Sequence, residues 1–514
     1  MSSASTDQPP RSLAALEQQL KRDLQLLCWP AADWMPARHR AGQQVVDVAI
    51  IGAGQAGLVA AAALQQLGIK SVVFDRAPRG SEGPWATTAR METLRSPKQL
   101  LGPALGVPAL TFRAWFEAQF GLARWEQLDK IPRLQWMDYL NWYRRVMAID
   151  VRNDTEVLGV HPQADGVVRL RLKRVNDVDG DENGDLFARR VVLATGRDGL
   201  GGALVPDFVK DLPRKLWAHS SDPLDYSRLK GERVGVVGAG ASAMDSAATA
   251  LEAGAASVDL LIRRADIPRI NKSKAATVPG NTHGHSNLPD AWKWRIRQYI
   301  NAQQVPPPRG STLRVSRHDN ARFNLDCAVL DVEQVADGLA VHTPKGTFDL
   351  DFLIVSTGFR IDWFSRPEFA AIAPHIRAWR ARYRPPPGEE NEELASSPDV
   401  GPVFELRENA PGVCPGLDRI HCFCFPATLS HGTLSGDIPS ISEGARRLAN
   451  GIASLFYSED IEQHFANLQA FSEPELQGDE WTVAPPLAGE PSVEPSAELS
   501  AELSTEPAAE LYKV

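Results

Sequence analysis

The sequence predicts an α/β protein with two Rossmann-like dinucleotide-binding domains, one interrupting the other, flanked by a helical N-terminal extension and a disordered C-terminal tail. Glycine-rich turns occur twice, at 52–57 (Gly-Ala-Gly-Gln-Ala-Gly) and at 238–243 (Gly-Ala-Gly-Ala-Ser-Ala). Each follows a short apolar segment and precedes a run of small residues, as in a strand, a phosphate-binding turn and a helix. Two Thr-Gly pairs, at 195–196 and 357–358, follow further apolar segments. They indicate that the chain leaves the first domain and later returns to it.

The elements of the first half follow from their residue patterns. Leucines at helical spacing predict an amphipathic helix over 12–28 that docks on the main body, or alternatively binds a partner. Apolar runs predict buried parallel strands, small residues predict a helix, and glycine and proline predict a long functional loop. The predicted elements are strands at 45–51 and 71–75, helices at 56–67, 112–120 and 136–147, a loop at 79–106, a β-meander over 156–188, and a strand at 191–194.

The pattern of strand, turn, helix and strand then starts again. Strands are predicted at 234–237, 258–262 and 353–355. Beyond about residue 475 the chain is rich in Ala, Glu, Pro and Ser, which predicts disorder. The predicted organisation is an N-terminal extension (1–44), a first dinucleotide domain in two parts (45–205 and 351–475, the second with a substrate-side insert), a second dinucleotide domain (206–350) and a tail (476–514).

Composition narrows the class of protein. The chain has 514 residues, 43% of them hydrophobic, and a net charge of -9. This charge does not predict nucleic-acid binding. A membrane span is not predicted either, because the sequence lacks an apolar run of roughly 18 residues. Five scattered cysteines favour a reducing cytoplasm over a disulfide framework. His283 and His285 lack a third ligand cluster nearby, so no metal is predicted. The oligomeric state is left open, and a homo-oligomer is compatible with the sequence.

The first glycine turn has the features of a complete dinucleotide site. Gly52 permits the tight turn, Gly54 lets the backbone approach a pyrophosphate, and Gly57 lets the helix pack on the sheet. Asp75 ends the next strand, where an acidic side chain binds a ribose hydroxyl. Gln55, Ala56 and Arg76 are the neighbouring candidate binding residues.

The second glycine turn differs at its strand end. Gly238 and Gly240 repeat the first two roles, and Ala241 and Ser242 open the helix. The next strand ends in Arg263 and Arg264 instead of an acid. Arginine suits a 2′-phosphate, so NADPH is expected over NADH. The alternative is a solvated cluster of cations that also includes Lys272 and Lys274.

Several separated motifs over about 45–455 resemble the class B flavin-dependent monooxygenases, which include flavin-containing, Baeyer–Villiger and N-hydroxylating enzymes. They are Ile-Gly-Ala-Gly-Gln-Ala-Gly-Leu at 51–58, Glu-Gly-Pro-Trp at 82–85, Ala-Thr-Gly at 194–196, Ser-Thr-Gly-Phe at 356–359 and Ser-Gly-Asp-Ile-Pro at 435–439. The resemblance implies FAD at the first turn and NADPH at the second. It places Trp85, Gly436 and Asp437 beside the flavin, with a cap of the following helix as the alternative for Asp437. It makes Thr195, Gly196, Thr357 and Gly358 the crossings between the two domains.

Two positions depart from the family pattern. Pro213 and Lys215 replace the Phe and Gly of a motif that ends in a histidine, here His219, which is either a domain-linker residue or an ordinary structural one. Arg95 falls where the family has an Asn before a Pro-Lys pair. These departures indicate a divergent subgroup.

The resemblance implies a reaction cycle. NADPH reduces the flavin by hydride transfer, O2 is activated as a C4a-(hydro)peroxyflavin, and one oxygen atom passes to a small molecule. Arg95 is the candidate for stabilising the oxygenated flavin or NADP+, with a surface ion pair or phosphate contact as the alternative. Lys98 is a further catalytic candidate. His431 is a candidate proton relay or a structural histidine.

The leading hypothesis is therefore an FAD- and NADPH-dependent monooxygenase acting on a nitrogen or sulfur atom or on a ketone. The alternatives are an NADPH oxidase or flavin reductase that inserts no oxygen, and a non-catalytic flavin-binding sensor. Cys422 and Cys424 suggest a disulfide reductase less strongly, because a bridge between strand positions i and i+2 is strained. The sequence does not identify the substrate.

Overall fold

A computed structural model describes residues 12–175 and 184–485. The N-terminal residues 1–11 and the predicted tail from 486 onward lie outside the described residues. The strands are β1 (Arg38–Arg40), β2 (Gln43–Ile51), β3 (Ser71–Phe74), β4 (Val151–Arg152), β5 (Thr155–Pro162), β6 (Val168–Arg174), β7 (Gly184–Leu193), β8 (Gly201–Ala203), β9 (Trp217–His219), β10 (Arg233–Val237), β11 (Ser257–Leu261), β12 (Ala321–Asn324), β13 (Asp331–Val335), β14 (Gly338–Thr343), β15 (Gly346–Leu350), β16 (Phe352–Val355), β17 (Phe359–Ile361) and β18 (Ile420–Cys422).

The α-helices alternate with these strands, and short 3₁₀ turns join many of the elements. The helices are α1 (Leu13–Leu26), α2 (Gln55–Gln66), α3 (Phe112–Phe120), α4 (Leu122–Gln127), α5 (Arg133–Val146), α6 (Asp207–Lys210), α7 (Ala241–Glu252), α8 (Pro279–Gly284), α9 (Asp290–Gln303), α10 (Arg309–Ser316), α11 (Glu392–Ala395), α12 (Thr428–His431), α13 (Ile441–Glu459) and α14 (Ile461–Ala470).

The first sheet has a parallel centre in the order β4-β3-β2-β7, and β5 and β6 extend it as an antiparallel meander on β7. The far end of β7 pairs in parallel with β18, so a strand from late in the chain completes this sheet. Helix α2 buries its whole small-residue face, from Gly57 to Leu64. The alanines let helix and sheet approach closely, which fixes the turn between β2 and α2.

The second sheet is parallel throughout, in the order β12-β11-β10-β16-β9. All of its strands lie between β8 and β17 in the chain, and β8 and β17 pair with each other as an antiparallel ribbon. The two crossings are thus joined to each other, and the second sheet is an insertion into the first. A separate three-stranded antiparallel sheet, β13-β14-β15, belongs to the inserted part.

Most predicted elements are confirmed, with shifted ends. Helix α3 has the predicted bounds, and the meander forms as β5 to β7. Helix α5 begins at Arg133, three residues before the predicted start, because Pro132 fits the position that precedes a helix. The expected docking of the N-terminal helix is confirmed by Leu16 and Leu20, which are fully buried.

Residues from Ile461 onward form a unit of their own, which contains α14. Its described part ends in irregular backbone from Phe471 to residue 485. No helix in the described ranges combines the length and the apolar character needed to cross a membrane.

Candidate functional site

The first glycine turn is shaped by close packing at two positions and left open at a third. Gly52 has φ +103°, and a Cβ there would lie 2.5 Å from the carbonyl oxygen of Ala194. A Cβ on Gly57 would lie 1.9 Å from the oxygen of Gly52. Gly54, which precedes α2, has only the Cα of Gly83 nearby, at 3.9 Å. The turn therefore exposes the start of a helix to open space, as a pyrophosphate requires.

Polar atoms without partners surround this turn. The Oε1 atom of Gln55 and the Oγ1 atom of Thr195 are buried and make no hydrogen bond within the described residues. Buried polar atoms are almost always paired, so these two fit a missing ligand. Asp75 lies beside them, and burial raises the pKa of its carboxyl group. The polar groups at this turn fit FAD. Ala56 lies in the first turn of α2, and Arg76 is exposed at the strand end.

The loop that carries Trp85 folds back over the first turn. A Cβ on Gly83 would lie 3.8 Å from Gly54, which places the loop directly above the helix start. Arg133 of α5 donates a hydrogen bond to the carbonyl oxygen of Trp85. The buried Glu82 forms an ion pair with Arg144 at 2.8 Å. The Trp85 loop is therefore held by contacts to α5.

The second glycine turn repeats the arrangement. Gly238 has φ +127°, and a Cβ there would lie 3.0 Å from the oxygen of Ser356. Gly240 precedes α7, and a Cβ on it would meet no atom within 4 Å. Ala241 is buried at the start of α7, whereas Ser242 is exposed and faces the open side. This turn fits a second dinucleotide.

The strand end next to the second turn presents unpaired cations. Arg263 is exposed and Arg264 is half-buried, and neither guanidinium forms a hydrogen bond or ion pair with the described residues. Lys272 and Lys274 follow in the next loop and are likewise unpaired there. The nearby Asp266 bonds to Arg269 instead, at 3.0 Å. The strand end thus has the charge and the free donors that a 2′-phosphate needs.

The Thr-Gly crossings meet where the two sheets face each other. The backbone N–H of Leu204 donates to the carbonyl oxygen of Gly358 at 2.9 Å, and the hydroxyl of Thr357 donates to the oxygen of Leu204. On the first crossing, the N–H of Phe425 donates to the oxygen of Gly196 at 3.3 Å. The crossings are therefore tied both to each other and to the segment before α12.

Arg95 and Lys98 line one cavity of about 390 Å³ together with Lys130 and Lys274. The Arg95 guanidinium has no hydrogen-bond partner among the described residues. Desolvation lowers its pKa, and the carboxylate of Asp245 on α7 partly offsets this. Lys98 differs, because its ammonium donates to the carbonyl oxygens of residues 125, 126 and 128 at 2.7, 3.2 and 2.6 Å. Those bonds occupy all three of its protons at the end of α4, which supports a structural role for Lys98.

His431 is a fully bonded, buried side chain. Its Nε2 donates to the carbonyl oxygen of Gly401 at 2.8 Å, and its Nδ1 accepts from Arg447 at 3.2 Å. The ring stacks on Phe404 with centroids 4.1 Å apart. Burial lowers the pKa of His431 to about 4, so the ring is neutral. This geometry supports the structural alternative over a proton relay.

The 435–439 segment leads into α13, as the sequence motif predicts. A Cβ on Gly436 would lie 3.5 Å from the Cα of Phe425, so the segment packs beside the first crossing. Burial raises the pKa of the Asp437 carboxyl group. The backbone N–H of Ile438 partly offsets this rise, and the Asp437 side chain does not cap the turn that follows.

His219 and the cysteine pair are buried. The His219 Nδ1 lies 2.7 Å from the Ser221 hydroxyl, and its Nε2 is buried without a partner. The Sγ atoms of Cys422 and Cys424 are 3.5 Å apart, and their mutual hydrogen bond, together with burial, raises the pKa of Cys422. In the described part of the chain, no group of three or more His, Cys, Asp or Glu side chains is arranged to hold a metal.

Sequence reasoning did not single out Arg197, whose charge acts on Arg95, or Arg297, whose pKa Arg197 lowers. Arg197 directly follows the first Thr-Gly pair, and this position could have marked it. Arg297 lies on α9, where nothing in the local pattern separates it from the other basic residues of that helix. Both guanidinium groups are without hydrogen bonds to described residues.

Two glycine turns of the dinucleotide-binding type, together with two crossings that join their domains, are the features of a flavoprotein oxidoreductase of the two-dinucleotide type. Residues 50–103 match the family model of the NAD(P)-binding Rossmann-like domain. Residues 112–303 match that of L-lysine 6-monooxygenase/L-ornithine 5-monooxygenase. Ornithine hydroxylase from Pseudomonas aeruginosa has the same fold, with a TM-score of 0.62 at 16% identity over 79% of this chain and 98% of that one. L-lysine 6-monooxygenase from Pseudomonas syringae gives 0.61 at 17% identity over 80% and 99%.

A full-length relative is more similar in sequence. The FAD-dependent urate hydroxylase of Xanthomonas campestris pv. campestris is 40% identical over 470 residues, which cover 91% of this chain and 98% of the relative. The chain belongs to the class B flavin-dependent monooxygenases. It is an enzyme that uses FAD and NADPH, and the predicted family, fold class and type of activity are confirmed. A purely non-catalytic sensor is accordingly set aside.

Proposed function

We propose that this enzyme hydroxylates urate or a closely related anionic oxopurine. The observation that carries the proposal is a group of arginines without hydrogen-bond partners among the described residues. Arg197 lies within electrostatic range of both Arg95 and Arg297, and the three come from different segments of the chain. A flat anion would supply the missing acceptors, and urate is a planar monoanion at neutral pH. The full-length urate hydroxylase relative points to the same substrate.

The same charge argues against the amine substrates named for the structural neighbours. Ornithine, lysine and cadaverine carry ammonium groups, which a cluster of unpaired arginines repels. The proposal also departs from the heteroatom or ketone expected from the motifs, because the relative acts on a heterocycle.

The site residues have distinct proposed roles. Gly52, Gly54, Gln55, Gly57 and Asp75 hold FAD, with Trp85, Thr195, Gly436 and Asp437 around it. Gly238, Gly240, Ser242, Arg263 and Arg264 hold NADPH. Together the two cofactors supply reductive activation of O2. Arg95, which interacts with Asp245 on α7, provides positive charge where negative charge develops in the reaction. We place this reaction in the cytoplasm, as the scattered free cysteines favour.

The test is a substrate assay with the FAD-loaded enzyme. NADPH consumption, O2 uptake and product formation are measured with urate, xanthine, ornithine and lysine. The proposal expects NADPH consumption to rise with urate and to match the amount of hydroxylated product. Urate-independent NADPH consumption with stoichiometric peroxide would support the oxidase alternative. Coupled turnover of ornithine or lysine instead would overturn the proposal.

A further inference from the structure

Arg197 is held over an aromatic platform beside the first crossing. Its guanidinium carbon lies 4.4 Å from the centre of the Phe425 ring and 5.7 Å from that of Phe359. Phe425 itself packs between Gly196 and Gly436. An arginine over an aromatic face keeps its planar donors in a fixed direction. Since those donors have no acceptor among the described residues, the platform presents a ready-made binding group.

Arg297 lies on helix α9, within electrostatic range of Arg197. It lies almost one turn after Trp294, which is buried in a cluster with Trp379, Leu394 and Leu429. That cluster fixes the orientation of α9. The Nε atom of Arg297 is buried and has no hydrogen-bond partner in the described part of the chain. A buried donor without an acceptor is costly and is expected only where a ligand completes it.

The positive charges of Arg197 and Arg297 are only partly balanced by a nearby carboxylate. Desolvation lowers the pKa of both Arg197 and Arg297, and Arg197 lowers that of Arg297 further. The carboxylate of Glu393 offsets both effects. Glu393 is exposed and precedes the buried Leu394 on α11. One exposed carboxylate therefore interacts with two guanidinium groups, and one further negative charge would balance them.

We propose that Arg197 and Arg297 form an anion clamp that selects a planar, singly negative substrate. The clamp rests on the proposed monooxygenase function and adds the residues that set its specificity. Arg197, fixed on Phe425, offers two parallel donors to one edge of the substrate, and Arg297 contacts a second acceptor from α9. Arg263 and Arg264 are the proposed binding residues for the 2′-phosphate of NADPH, so we assign the clamp to binding of the substrate.

The experiment measures equilibrium binding to the oxidised FAD-loaded enzyme, read as a change in flavin absorbance. Urate is the anionic probe, and hypoxanthine, neutral at pH 7.5, is the matched uncharged probe. R197Q and R297Q should each weaken urate binding by about 10- to 100-fold and change hypoxanthine binding by less than about threefold. R197K keeps the charge but loses the planar fork, so its effect should be intermediate. E393Q should tighten urate binding, because it removes a competing carboxylate.

The possible negative results distinguish a failure of the clamp from a failure of the proposed function. Unchanged urate binding in both glutamine variants overturns the clamp while leaving urate hydroxylation intact. A loss of FAD content, or a larger loss of NADPH binding than of urate binding, also overturns it and assigns the arginines to a cofactor. If the unaltered enzyme neither binds nor hydroxylates urate, the proposed function fails. The clamp is then tested with benzoate and orotate, and absence of arginine-dependent binding of either anion overturns it as well.

Discussion

The Asp75 carboxylate accepts a hydrogen bond from the backbone N–H of Ala53 at 2.8 Å, which ties the end of β3 to the first glycine turn. Its other oxygen accepts from the N–H of Ala77, also at 2.8 Å. The acidic residue predicted to bind a ribose therefore also shapes the turn that receives the pyrophosphate. The Asp75 side chain therefore connects the predicted ribose position with the turn that is predicted to receive the pyrophosphate.

Replacing Asp75 should consequently reduce FAD retention more than the loss of one ligand contact would. Asp75→Ala removes both backbone bonds, and we expect FAD affinity to fall by at least about 10-fold. Asp75→Asn keeps one acceptor oxygen and should retain more FAD. The FAD-to-protein ratio after gel filtration measures both. Full occupancy in Asp75→Ala would contradict the assigned role.

Substitutions at the two glycines of the second turn should separate effects on NADPH binding from effects on stability. Gly240→Ala meets open space at a normal φ of -78°, so the variant should keep its FAD and its thermal stability. The added methyl group would stand where NADPH approaches, and we expect KM for NADPH to rise by about 10-fold. Gly238→Ala is the contrasting variant, because its φ of +127° and a 3.0 Å contact with Ser356 strain the turn. We expect it to lose about 1–3 kcal/mol of stability. Equal effects of the two variants on melting temperature would contradict this distinction.

Coenzyme choice should depend on the cations at the end of β11. Arg263→Ala combined with Arg264→Ala should raise KM for NADPH by about 10- to 100-fold, because charged hydrogen bonds to the 2′-phosphate are lost. KM for NADH should change by less than about threefold. Steady-state kinetics with both coenzymes test this, and Arg269→Ala serves as a nearby cationic control. A better rate with NADH in the unaltered enzyme would show the assignment to be wrong.

Arg95 and Lys98 line the same cavity but should respond differently. Arg95→Ala should reduce the rate of substrate hydroxylation by about 100-fold while the melting temperature changes little. Lys98→Met should lower the free energy of unfolding by about 1–3 kcal/mol, since three carbonyl oxygens lose their donor, and should leave kcat within about threefold. Product formation and thermal melting are compared for both variants. A large loss of kcat in a stably folded Lys98→Met would restore the predicted catalytic role of Lys98.

Acid should destabilise the fold through His431. Its folded pKa of about 4 lies below the unfolded value of 6.5, so the unfolded chain takes up the proton first as the pH falls. Stability is unaffected above pH 6.5 and is lost between there and pH 4, by on the order of 3 kcal/mol. His431→Gln keeps a donor and an acceptor but does not titrate, so its stability should depend less steeply on pH. His421, with a pKa of about 3, should preserve part of the slope. Denaturant unfolding at several pH values provides the measurement, and identical slopes would contradict it.

Local patterns predicted the fold well, because glycine turns and buried strands are set by their own residues. The turns at Gly52 and Gly238, and the return through the second Thr-Gly pair, needed no long-range information. The pairing of β18 with β7 could not be predicted, since three residues of apolar strand occur in many places. The start of α5 lies three residues before the predicted one for a different reason, because Pro132 marks the position that precedes the helix.

The candidate site was predicted less completely than the fold. Nucleotide turns have sequence signatures, but a substrate cleft is built from side chains that meet only after folding. The position of Arg297 follows from the packing of Trp294 on the same helix. The hydrogen bond between His431 and Gly401, which favours the structural alternative for His431, is likewise one that no local pattern shows. Lys98 likewise acquires its partners from a helix that lies further along the chain.

The late strand β18 imposes an order on biosynthesis. Every strand of the inserted sheet has been translated by Val355, whereas the first sheet still lacks Ile420–Cys422. The inner domain can therefore become complete on the ribosome before the outer one that surrounds it. Until then, the far end of β7 has an exposed edge, which is a natural point of contact for a chaperone. The proposed FAD site, which lies on the outer domain, would be complete only after β18 has been made.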